Sequence, residues 1–148
     1  MTAKEYLEQP LKLEKSIDSR CHVLEGLKNL LTRTTGVLTG VVVTRTRDTH
    51  PMETVMVRIA EIEEEISEDM VRLIDLREDV TERILELGEE KWQAVLEMRY
   101  LHGKHWDDIA DEMCCSRSNV LKMHAAALKE IRVPDEAPDF SARFPAYP

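Results

Sequence analysis

Apolar positions recur from Met52 to Leu87 in steps of three and four, at Met52, Val55, Ile59, Ile62, Ile66, Leu73, Leu76, Val80 and Leu87. Asp69 and Arg83 hold the remaining places of the same series, with Met70 and Ile84 beside them. The unslipped alternation is the heptad rhythm of a helix that buries one seam. Pro51 suits a first helical turn and Gly88 suits a stop. The pattern predicts a helix over 51–87, roughly 55 Å long at 1.5 Å per residue.

The first segment is less regular. Thr2 and Glu5 have capping-box spacing. Leu7, Leu11, Leu13, Ile17, Cys21, Leu24, Leu27 and Leu31 form an apolar stripe that includes Cys21 as a small buried hydrophobe. Pro10 predicts a kink or the helix's true start. The stripe fades at Thr32–Gly36, and a flexible loop is expected over about 35–50, in preference to a short strand at Val41–Val43. Two helices joined by that loop fold back antiparallel, so residues 1–87 read as a helical hairpin or coiled coil. Such a hairpin buries little by itself, which predicts a homo-oligomer, with a dimer favoured by two-fold closure.

Residues 88–132 carry a different pattern. Trp106, Ile109, Ala110 and Met113 make one short inward stripe, and Val120, Met123, Ala127 and Ile131 make a second. A turn is expected at Cys114-Cys115. Ser116 has the chemistry of an N-cap for the helix behind it. On that helix the opposite side carries Ser118, Lys122, Ala125 and Lys129, with Arg117 in the first turn. Apolar behind, short or basic in front is the division needed by a helix that enters the DNA major groove. The fold class is therefore all-α: a long antiparallel hairpin followed by a helix-turn-helix. The DNA-facing set is Ser116, Arg117, Ser118, Asn119, Leu121, Lys122 and Lys129, with Arg99 as a phosphate contact or a salt-bridge partner of a nearby acid.

Arg99–Gly103, Trp106–Ala110, Ser116-Arg117, Val120 and Ala127-Leu128 together resemble region 4 of bacterial sigma factors. From Tyr6-Leu7 to Leu128 the chain resembles small phage and prophage regulators with a helical N-terminal part and a sigma-region-4-like end, including the ArpU-type late-gene regulators. The resemblance implies double-stranded DNA as ligand and control of phage or prophage late genes as function. Two positions depart from the sigma pattern. His105 stands where Ser or Thr usually caps, and Leu121 stands where a polar or basic residue is common. Nothing matches the sigma regions that bind the minus-ten element and melt DNA, which argues against an autonomous sigma factor.

The net charge of −9 opposes DNA binding by the chain as a whole, but the acid is localised. Residues 51–87 hold 12 acids and 4 bases, whereas residues 88–133 hold 8 acids and 7 bases. The recognition segment has Arg117, Lys122, Lys129 and Arg132 against Glu130. This electrostatic footprint is weak, since phosphate neutralisation normally dominates affinity. It calls for two copies or a partner. The acidic run Glu61–Glu65 reads as a solvated face, or alternatively as a contact for host RNA polymerase.

No catalytic constellation, cofactor motif or metal-ligand spacing is present. His102, His105, Cys114, Cys115 and His124 crowd together, but the cysteines are adjacent and no C-x2-C or H-x3-H pair exists. Three thiols, two of them vicinal, fit a reducing cytoplasm, and no apolar run approaches a membrane span. Residues 133–148 contain four prolines and read as a disordered tail, although Phe140, Phe144 and Tyr147 are unusual there. The competing functions are a DNA-packaging recognition subunit of the small-terminase kind and a protein-binding scaffold.

Overall fold

Thr2 and Glu5 close a reciprocal capping box at the start of the chain. The Thr2 amide donates to Glu5 Oε2 at 2.7 Å, and the Glu5 amide donates to Thr2 Oγ1 at 3.2 Å. From that cap α1 runs over Ala3–Gly40 in the computed structural model, which describes residues 1–40 and 50–137. α2 spans His50–Leu85, α3 Glu90–Leu96, α4 Trp106–Glu112 and α5 Arg117–Glu130. α3 continues into a π-helical turn over Glu97–Leu101. The described residues contain no strand, so the fold is all-α. No helix among them is long and apolar enough to cross a membrane.

Several local expectations are corrected. Pro10 neither starts nor ends α1, which runs through it. The Gln9 side chain donates to the Glu5 carbonyl at 3.0 Å and adds a bond in the turn ahead of the proline. Residues 35–40 continue α1 rather than opening a loop, and Val41–Val43 and the rest of the predicted loop lie outside the described residues. Cys21 is exposed, not part of the buried stripe. α2 stops at Leu85 without a left-handed glycine, since Gly103 is the only positive-φ glycine among the described residues. Instead the Gln93 amide donates to the carbonyls of Leu85, at 3.4 Å, and Leu87. A side chain from the next helix thus supplies the cap that Gly88 was expected to give.

The chain divides into two compact units, Lys15–Val71 and a second formed by Met1–Glu14 with the chain from Arg72 onward. In Lys15–Val71, α1 and α2 pair antiparallel. Arg20 bridges to Asp69 and, at 3.7 Å, to Glu65, while Lys28 bridges to Glu63 at 2.9 Å. Ile17, Ile62 and Ile66 are buried there, and so is Asp69. The heptad seam of α2 therefore packs on α1 of its own chain. Its polar break at Asp69 is filled by the Arg20 guanidinium.

In the second unit Tyr6, Leu7, Leu76, Val80, Ile84, Leu87, Leu96, Tyr100, Ala127 and Ile131 form one core. The other heptad break, Arg83, lies 3.6 Å from Asp79, which also accepts the Tyr6 hydroxyl. Arg77 donates to the Leu101 carbonyl at 3.0 Å and ties α2 to the π-helical turn. Val133 and Ala137 pack on this core, so the start of the proline-rich tail is docked; residues 138–148 lie outside the described residues.

Candidate nucleic-acid interface

A second apolar cluster sits where α4 crosses α5: Val95, Ile109, Ala110 and Val120, with Met98, Trp106, Met113, Cys115 and Met123 around it. α4 ends in a left-handed cap, in which the Cys115 amide donates to the Ala110 carbonyl at 3.1 Å and the Cys114 amide to the Asp111 carbonyl at 3.2 Å. The turn is made at Cys114, whose φ of 52° lies in the left-handed region. Left-handed backbone is costly for any residue with a Cβ. Cys114→Gly is therefore expected to raise stability by about 0.5–1 kcal/mol, the gain being reduced by glycine's freedom in the unfolded chain. Thermal melts of the two proteins check this, and Cys115→Gly brings no such gain.

Ser116 then caps α5, its hydroxyl accepting the Asn119 amide at 3.2 Å. His105, at the corresponding place before α4, makes no side-chain cap bond. Val120, Ala127 and Ile131 are buried beneath α5. Arg117, Ser118, Asn119, Leu121, Lys122 and Lys129 are all exposed along its outer side. Arg117 lies 3.6 Å from Asp107 in the first turn of α4. Both side chains are open to water, so the pair is weak and easily released.

Arg99 is placed differently from the rest. Its guanidinium lies over the Trp106 ring, 4.5 Å from the centroid, and donates to the Lys104 carbonyl at 3.0 Å. These contacts engage it in holding the link between the π-helical turn and α4. The π-helical turn closes through the bond from His102 N–H to Glu97 C=O at 3.0 Å, and Gly103, with φ of 66°, follows it. Turns of this type carry an extra residue and re-aim the side chains around them.

One of those side chains, Tyr100, is buried and bonded to His124 Nε2 at 2.6 Å. The Trp106 ring meets the His124 ring edge-on, 4.6 Å between centroids. Burial, with the charges of Lys4 and Arg99 adding to it, pushes the imidazole down to a pKa of about 4. Burial also pushes the Tyr100 phenol up to about 12. His124 thus stays neutral in the fold but takes a proton below pH 6.5 once unfolded. The stability that this neutral, buried His124 contributes is therefore full above pH 6.5 and is expected to be lost progressively as the pH falls toward 4. Urea midpoints at several pH values check this: His124→Gln is expected to flatten the acid slope between those limits, and an unchanged slope would exclude the effect.

Lys91 of α3 was not legible in the sequence as part of this face. It lines a shallow cleft of about 250 Å³ together with Met113, Cys115, Asn119, Lys122 and Met123. Its only signal is a base on the helix that packs against α5. The His124 cluster was more accessible to reading, because His124 stands four residues after Val120 on the buried side. Among the described residues no group of three His, Cys, Asp or Glu side chains is placed to share a metal ion.

No curated protein and no solved structure matches the chain. The model of one family, DUF1492, described as a protein of unknown function, matches residues 34–132, and the chain belongs to that family.

Proposed function

We propose that this chain is a sequence-specific DNA-binding transcriptional regulator of phage or prophage late genes, working in the bacterial cytoplasm by binding rather than by catalysis. The observation that carries the reading is the division of α5. Its apolar side is buried, Val120 at the α4 crossing and Ala127 in the core with Tyr6 and Tyr100, while Arg117, Ser118, Asn119, Lys122 and Lys129 stay exposed from a capped N-terminus onward, with Leu121 among them. In a groove-docked helix, first-turn residues meet base edges and later bases meet phosphates. Arg117, Ser118 and Asn119 take the first role, and Lys122 and Lys129 the second. Lys91, beside Lys122 on the same cleft, joins the phosphate contacts. The near-neutral charge of residues 88–133 makes one copy a weak binder, so this reading includes a homodimer on double-stranded DNA and host RNA polymerase as a further partner.

DNA selected from a random pool, followed by anisotropy at several salt concentrations, tests the reading. Arg117→Ala is expected to cost about 1–3 kcal/mol on the selected site and to relax its specificity. Lys91→Ala, Lys122→Ala and Lys129→Ala are expected to weaken all DNA alike and to lower the salt slope by about 1 each. Leu121, exposed on the same side, is expected to lose affinity only at sites with thymine when changed to Ala, with its melting temperature nearly unchanged. If no sequence is selected and Arg117→Ala binds as the parent does, α5 does not read DNA and a protein-binding scaffold takes its place. A ring of many copies would point instead to a DNA-packaging subunit.

A further inference from the structure

We infer that Asp107 is the positioning residue of the base contact: it holds the Arg117 guanidinium so that the remaining N–H groups of the fork face a guanine. The inference rests on the DNA reading above and names the base which that reading leaves open. Arg117 is the first residue of α5, and its Nη1 lies 3.6 Å from Oδ1 of Asp107 in the first turn of α4. A guanidinium carries five N–H donors in a rigid fork. One edge can meet a carboxylate while another meets O6 and N7 of guanine, the commonest specific contact of arginine. Adenine presents a donor where guanine has O6, so the same fork fits it poorly.

Both ends of this bridge stand on fixed backbone. Trp106, next to Asp107, meets the His124 ring of α5 edge-on, 4.6 Å between centroids. Ile109 and Val120 are fully buried in one apolar cluster of α4 and α5. Ser116 caps the helix end that presents Arg117. Only the two side chains themselves are left to order. In water the pair is weak, with 58 % of the Arg117 side chain and 76 % of that of Asp107 exposed. A DNA groove takes water from both, and the same attraction strengthens as the effective dielectric falls. The bridge therefore gains strength in the docked state, when Arg117 has a base to read.

The placement has a cost, which makes it recognisable. α4 carries Asp107, Asp108, Asp111 and Glu112 and no base. In helix-turn-helix docking the first helix crosses the phosphate backbone. A carboxylate there repels every DNA alike, because the phosphate charge is independent of sequence. Glu112 is bridged to Lys104, ahead of the helix. Among the described residues Asp107 is the acid of α4 that bridges to α5, and it does so at the residue that enters the groove first. It lowers affinity for all DNA and returns part of that loss at one G·C pair.

Anisotropy on the full chain tests this with three probes: a duplex selected from a random pool, the same duplex with each base pair exchanged singly, and a random-sequence duplex. Circular dichroism confirms that each variant is folded. Asp107→Asn is expected to bind the random duplex about twofold more tightly, as one repelling charge is removed. It is expected to lose about tenfold in discrimination at one G·C pair, within the range for a single bidentate contact. Asp108→Asn, one residue along in the same turn, is expected to give the first change without the second. In Arg117→Ala, where that discrimination is already lost, adding Asp107→Asn is expected to lower it no further. Should Asp107→Asn fail to fold, Asp107→Ser takes its place. If selected and random duplexes gain affinity alike with discrimination unchanged, Asp107 only repels phosphate or masks Arg117, and the inference is overturned. It is overturned too if Asp108→Asn loses as much discrimination, or if the pair concerned is A·T. A parent that selects no sequence removes the DNA reading and this inference with it. A parent that selects a site, with Asp107→Asn discriminating as the parent does, removes this inference alone.

Discussion

Replacing Arg20 by Ala is expected to cost about 3–5 kcal/mol, the range for breaking a buried ion pair by removing one partner. Asp69 is 1 % exposed and keeps its carboxylate inside the α1–α2 packing of Lys15–Val71, where the Arg20 guanidinium is its bridging cation. Among the described residues of that unit the buried aliphatic side chains are Ile17, Ile62 and Ile66. Changing both residues together, Arg20→Met with Asp69→Leu, is expected to recover most of the loss, because an apolar pair of similar volume carries no desolvation penalty. Urea unfolding followed by circular dichroism measures both. If Arg20→Ala costs less than about 1 kcal/mol, the pair is no more than a surface bridge. The double variant also asks what the pair is for. A polar pair inside a heptad fixes register at some cost in stability, so the variant is expected to unfold with a broader transition or a changed association state even where its midpoint is restored.

Ile109→Ala is the second large effect expected, about 2–5 kcal/mol. Ile109 is fully buried at the α4–α5 crossing, between Val95 and Val120, and its loss leaves a cavity that two short helices cannot close. The change touches none of the exposed side chains of α5. DNA binding should therefore fall only as far as folding does, with specificity retained, in contrast to Arg117→Ala, which is expected to change specificity without changing stability. Anisotropy and urea unfolding on the same samples separate the two. A specificity change in Ile109→Ala would mean that α5 is repositioned rather than merely destabilised.

Much of this protein is legible in its sequence. Periodicity gave α2 to within two residues of its end, the capping box fixed the start of α1, and Ser116 with its apolar rows defined α5. These are local matters: a cap hydroxyl reaches an amide three residues away, and a heptad records one buried side whatever covers it. What covers it is not local. The sequence could not say that the heptad of α2 would close on its own α1, because a seam within one chain and a seam between chains have the same spacing. Nor could it show that Gln93, not Gly88, would cap α2, or that Arg99 would be held over Trp106. Burial of His124 against Tyr100 and Trp106 likewise depends on helices that meet only in the folded chain. The sequence by itself determined which helices form and which side of each is apolar. The tertiary structure decided which of those sides are already covered and which charged groups are engaged, and so which residues are left for a partner.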